Sequence, residues 1–207
     1  MNIPNLLTLL RVFLVPILVV ILLTRAPNKE IWGTIIFLSA SLTDFLDGYI
    51  ARKKHQVTFF GMLIDPIADK LLISSAFISL VELHIVPAWM VVVIVGREFA
   101  VTGLRSAASI EKITIKASIL GKIKMFFQVV AISLLLLGSK YGGILEFLGE
   151  IMLWIVLVVA VVSMIQYFYK FWGKINERHR KRLENKRKKY KEKILKKLKK
   201  KTEEINR

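Results

Sequence analysis

Six runs of apolar residues, near 5–23, 31–51, 66–83, 87–108, 122–139 and 144–170, take up most of this 207-residue chain. An α-helix rises about 1.5 Å per residue, so about 20 residues cross a hydrocarbon core of about 30 Å, and each run is of that order. Backbone N–H and C=O groups in lipid find no water, which leaves helices and closed β-barrels as the spanning structures. The runs lack the two-residue alternation of a barrel strand. The sequence therefore predicts an all-α integral membrane protein, a six-helix transmembrane bundle with a basic C-terminal tail.

This apolar character coexists with a formal net charge of +17, because the two are segregated. Residues 174–207 hold 17 of the 32 Lys and Arg but only 5 of the 15 Asp and Glu, a net +12; residues 1–173 keep 15 bases against 10 acids, a net +5. A membrane domain over 1–173 and a polybasic cytoplasmic tail over 174–207 follow. The chain has no cysteine, so disulfides and thiolate metal sites are excluded. The first run carries Asn5, Thr8 and Arg11 and has neither a basic leading region nor a small-residue cleavage site, so it reads as a retained helix and not a signal peptide.

Orientation follows from the loops. Arg52, Lys53 and Lys54, then Lys112 and Lys116, then the tail fall on one side, against Arg25, Lys29 and Lys140 on the other. The positive-inside rule puts both termini in the cytoplasm, in a multi-pass protein of the cell (inner) membrane. The tail sets Ile175, Leu183, Tyr190, Ile194, Leu195 and Leu198 in a Lys/Arg background. Two readings stand: a cationic helix lying on anionic lipid, or a solvated charge run. Nucleic acid is not expected as a partner, since the tail lacks an aromatic stacking pattern.

Ionisable groups at hydrocarbon depth are expensive and need a compensating role. Asp44, Asp47, Gly48 and Ala51 fall at i, i+3, i+4 and i+7, one helix face that carries two acids beside two small residues. Asp65 and Asp69 are spaced i, i+4, so a second helix can aim two more carboxylates at the same point. Pro66 suits a first helical turn, which predicts that the loop from Lys53 to Phe60 ends near Asp65. Carboxylate oxygens suit hard cations such as Mg²⁺ or Mn²⁺, and a proton relay or a salt-bridge cluster is the alternative. His55 and His84 read as loop residues.

The whole stretch from Asp44 to Asp69 reads D-x2-D-G-x2-A-R-x8-G-x3-D-x3-D. It resembles, position for position, the signature of the CDP-alcohol phosphotransferase family of integral membrane enzymes. The segment Asn2 to Thr8 with Arg11, and the segment Gly96 to Arg105, are similar to the branch that makes phosphatidylglycerophosphate; the resemblance covers roughly residues 1–172. It implies a transferase of phospholipid biosynthesis that moves the phosphatidyl group of CDP-diacylglycerol to sn-glycerol 3-phosphate, with CMP leaving. It further implies two divalent cations, Mg²⁺ or Mn²⁺, on Asp44, Asp47 and Asp65, with Asp69 as the general base that also touches one metal. Asn5, Thr8, Gly48, Ala51, Arg52 and Gly61 are then expected to bind the donor nucleotide, membrane lipid surrounds the chain, and a homodimer is expected.

Arg97, Arg105, Lys122 and Lys124 lie in or beside the fourth and fifth runs. Guanidinium groups match phosphate oxygens in bidentate geometry, so the acceptor phosphate is expected on Arg97, Arg105 and Lys122. The sequence departs from the branch at Met125 and Lys116, positions that bear on the acceptor. Inositol phosphate, serine or phosphatidylglycerol as acceptor is the nearest alternative. A cation- or proton-coupled transporter is the alternative from another class, and the chain shows no internal repeat of the kind transporters carry.

Overall fold

The computed structural model describes residues 3–54, 59–110 and 119–205. Side chains at 3–8, 44–54, 59–66, 69, 110, 119–123, 179, 181, 193 and 195–205 lie outside the described part. The six predicted runs form six helices in order: α1 (Ile3–Leu23), α2 (Lys29–Lys54), α3 (Phe59–Glu82), α4 (Ala88–Ile110), α5 (Ile119–Tyr141) and α6 (Gly143–Ile205). Among the described residues there is no strand.

Two boundaries differ from expectation. Helix α3 starts at Phe59, ahead of Asp65, so Pro66 lies inside it and not in its first turn. Of the residues from Phe59 to Ile64 only Gly61 is a poor helix former, and the N–H missing at Pro66 removes one hydrogen bond from a helix of 24 residues. Helix α6 runs 63 residues, well past the apolar run, because the Lys, Arg, Glu and Leu that follow are good helix formers. Arg180 and Glu184 add an i, i+4 pair at 3.4 Å on its solvated part.

The turns are specified locally. Asn28 takes a left-handed φ of 59° and its carbonyl accepts from the N–H groups of Ile31 and Trp32, which starts α2. Its side chain accepts from Lys140 at the end of α5. His84 takes φ 59° just after α3, and the Ile85 N–H donates back to the Leu80 carbonyl, the helix-ending pattern in which the residue after the helix turns left-handed. Gly142 and Gly143, at φ 64° and 62°, turn α5 into α6. The two helices then run close together: a Cβ on Gly138 would stand 2.7 Å from the Glu146 backbone, and one on Gly149 3.1 Å from the Leu135 nitrogen.

The chain packs as two units. The first, residues 1–102 and 117–164, sets α1 against α2 and α3 and sets α2 and α3 against α5. Leu18, Leu22, Phe37, Phe77, Leu80, Ile94, Ile132, Leu136 and Val156 share one core. Beside this apolar core Arg11, Arg97, Lys124, Gln128 and Ser163 are also buried, and large apolar side chains such as Phe13, Val20, Ile78, Val92, Phe126 and Val158 are exposed. Among the described residues, Lys124–Tyr141 and the segment from Gly143 are long and apolar enough to cross a hydrocarbon core. The second unit, residues 103–116 and 165–207, holds the ends of α4 and α6. There Phe168 stacks on Trp172 with ring centroids 6.2 Å apart.

Candidate active site

The four aspartates lie on two neighbouring helices. Asp44 and Asp47 are in α2, which continues unbroken through Gly48, Ala51 and Arg52; Gly61, Asp65 and Asp69 are in α3. Helix α2 packs on α3. The side chains of Asn5, Thr8, Asp44, Asp47, Ala51, Arg52, Asp65, Asp69 and Lys122 lie outside the described part, so the structure fixes the helix each stands on and its register only. Among the described residues no three His, Cys, Asp or Glu gather into a metal-binding group. The donor set on α2 and α3 is four carboxylates at helical spacing without sulfur or imidazole, which fits a hard divalent cation.

A second polar cluster is fully described, and it sits on α4, α5 and α6. The Arg97 guanidinium, almost wholly buried, donates from Nε and Nη2 to Ser163 Oγ at 3.1 and 2.6 Å and from Nη1 to Glu98 Oε1 at 3.2 Å. Lys124 Nζ pairs with that same Oε1, and Gln128 Nε2 approaches it at 3.4 Å. Three donors from two helices thus converge on one carboxylate oxygen. Ser163 Oγ in turn donates to the Ala160 carbonyl at 3.1 Å, which fixes the lone pairs it offers Arg97. Arg97 and Lys124 thus share the single carboxylate of Glu98, in a cluster walled by apolar helices.

Arg105, in the second unit, donates from Nη2 to Tyr167 Oη at 3.0 Å, and its guanidinium carbon lies 5.7 Å from the centre of the Tyr167 ring. A hydrogen bond and a cation–π contact to one buried tyrosine hold the fork in a fixed plane. The sequence reading named Arg97 and Arg105 but missed the groups that hold them. Glu98 is next to Arg97 in an apolar run, Gln128 is one helical turn from Lys124, and Ser163 and Tyr167 are one turn apart on α6. That periodicity of polar residues within apolar runs was the available signal. Of Lys122 and Lys124 on α5, the side chain of Lys124 is described and that of Lys122 is not.

Comparison with known proteins places this chemistry in a family. Residues 1–162 match the model of the CDP-alcohol phosphatidyltransferase family. The chain is 43% identical over 184 residues to the CDP-diacylglycerol–glycerol-3-phosphate 3-phosphatidyltransferase of Bacillus subtilis, covering 83% of this chain and 95% of that one. It is 41% identical over 169 residues to the protein of the same name from Rickettsia bellii, covering 81% and 93%, and 36% identical over 171 residues to that of Haemophilus influenzae, covering 80% and 91%. The chain belongs to the CDP-alcohol phosphatidyltransferase family.

Proposed function

We propose that this chain is a phosphatidylglycerophosphate synthase: it transfers the phosphatidyl group of CDP-diacylglycerol to sn-glycerol 3-phosphate and releases CMP. The observation that carries this reading is the agreement of the family match over residues 1–162 with relatives at 36–43% identity, three of which bear that activity as their name. The buried guanidinium of Arg97 supports a phosphorylated acceptor, because its planar fork matches phosphate oxygens in bidentate geometry.

In this reading Asp44, Asp47, Asp65 and Asp69 hold the divalent cations, Mg²⁺ or Mn²⁺, which neutralise charge on the donor diphosphate. Asp69 takes the proton of the acceptor hydroxyl. The hydroxyl oxygen bonds to the β-phosphorus, and the bond from that phosphorus to the bridging oxygen breaks, its electron pair leaving with CMP. Asn5, Thr8, Gly48, Ala51, Arg52 and Gly61 line the nucleotide's approach, where small residues on α2 and α3 let it come close to the backbone. Arg97, Arg105 and Lys122 receive the acceptor phosphate, as the family resemblance implies.

The large exposed apolar side chains of the first unit, together with the charges buried within it, support a bundle that spans the inner membrane, with residues 1–173 as the enzyme and 174–207 as a cytoplasmic tail. Both termini and the aspartates face the cytoplasm, so water-soluble CMP leaves there. We take the functional form as a homodimer. The test is purified protein in micelles with CDP-diacylglycerol, Mg²⁺ or Mn²⁺ and a panel of acceptors, following CMP release. Glycerol 3-phosphate should be the preferred acceptor. Equal or faster release with glycerol, serine or inositol phosphate overturns the assignment.

A further inference from the structure

Every residue assigned above to the reaction lies before residue 125 and the family match ends at residue 162, yet α6 continues as a helix to Ile205. Phe168, Tyr169 and Trp172 are exposed aromatics immediately before this extension, the composition that marks a boundary between hydrocarbon and water. The extension therefore leaves the membrane at its surface. Gly173 follows, with open space where a Cβ would stand, so no neighbour demands a glycine there; it is the position where α6 bends at least cost.

Beyond the glycine the helix has two faces. At about 100° per residue, Leu183, Tyr190 and Ile194 fall within an arc of about 40°. All three are exposed, by 53, 68 and 41%. Over residues 183–194, Arg187 and Lys191 flank this arc on one side and Lys186 on the other, and Glu192 lies opposite it; Asn176 and Lys201, nearer the ends of the tail, fall on the same arc. Apolar side chains between two rows of long basic ones form the cross-section of a helix lying in a membrane interface, where the lysine stems run along the apolar boundary and the ammonium groups reach the headgroups. A second copy of the tail is a poor cover for this face, since each carries a net +12.

We infer that the stretch of α6 over residues 183–194 is a docking surface for anionic lipid, lying on the cytoplasmic leaflet with Leu183, Tyr190 and Ile194 toward the acyl chains. The partner is the phospholipid surface itself, recognised by its negative charge. This goes beyond the enzymatic reading and does not depend on it. One consequence joins them: the donor is itself an anionic lipid, and a surface-bound cationic helix raises its local concentration.

The absence of cysteine makes the test clean. Full-length protein carrying Leu183→Cys, Tyr190→Cys, Ile194→Cys or Glu192→Cys, each with a nitroxide label, is reconstituted into phosphatidylcholine vesicles with or without phosphatidylglycerol. Accessibility to oxygen against a water-soluble nickel complex is read by electron paramagnetic resonance. With phosphatidylglycerol, the labels at 183, 190 and 194 should show an oxygen-to-nickel ratio several-fold higher than the label at 192, and high salt should reduce it. Without phosphatidylglycerol all four should read as aqueous. Water-exposed labels in both compositions overturn the inference, as does immersion indifferent to lipid charge or close label-to-label coupling between copies. CMP release plays no part in this readout, so failure of the enzymatic reading and failure of this one are separate results.

Discussion

Replacing Glu98 by Gln removes the charge on which three donors converge while keeping the side chain's shape. The Lys124 side chain is 2% exposed and that of Glu98 18%, so neither is rescued by water. Breaking a buried ion pair from one side costs about 3–5 kcal/mol because the other charge stays behind. The glutamine oxygen still accepts a hydrogen bond from Arg97 or Gln128, which puts the expected loss at the lower end, about 3 kcal/mol. Lys124→Met in the same background removes the stranded ammonium, and Met fills much of its volume. The double variant should then be more stable than the sum of the singles by about 2 kcal/mol, within the range of contacting pairs. The assay is denaturant unfolding in mixed micelles, followed by circular dichroism, on all four corners of the cycle. Single effects that add to within about 0.5 kcal/mol would refute the pairing of Lys124 with Glu98.

Four further outcomes are expected. Asp69→Asn should lose about 10²-fold or more in turnover while retaining much of the donor binding, since an amide cannot take the hydroxyl proton; near-normal turnover dismisses Asp69 as the base. Asp44→Ala should abolish cation-dependent CMP release and also weaken donor binding measured by calorimetry with and without Mg²⁺; unchanged donor affinity would make it a packing residue. Arg105→Lys should raise the KM for glycerol 3-phosphate and leave the donor KM alone, because an ammonium lacks the planar fork that Tyr167 holds; equal proportional losses with unphosphorylated glycerol would show a purely structural arginine. Gly138→Ala should destabilise by about 1–3 kcal/mol, as overpacking does, because its methyl meets the Glu146 backbone; a neutral change would mean that α5 and α6 separate freely.

Much of the architecture was legible because long apolar runs leave few options. Six apolar runs in the sequence became six helices, and the breaks at Asn28, at His84 and at Gly142 and Gly143 fall where a left-handed residue ends the pattern. Pro66 misled the reading of α3, since its preference for a first turn is a local statistic and the apolar residues before it extend the helix regardless. The aspartate helices were legible from i, i+3 and i, i+4 spacing. The partners of Arg97 and Arg105 were not: Ser163 and Tyr167 are more than 60 residues away in sequence, and only packing of α4 with α6 within each unit reveals them. His84, which carried no assignment, ends α3 by adopting φ 59°.

The glycine crossing of α5 and α6 acts at a distance. With Gly149 seated against Leu135 and Gly138 against Glu146, α6 cannot slide or rotate by one residue without driving a side chain into backbone. Ser163 stands 14 residues further along the same helix, about 21 Å at 1.5 Å per residue. A stiff rod pinned at one end sets the angle of everything it carries, so the hydroxyl that holds two nitrogens of Arg97 is aimed from the far end of α6. Two residues with no side chain, far from the cluster itself, thereby calibrate the direction of an arginine.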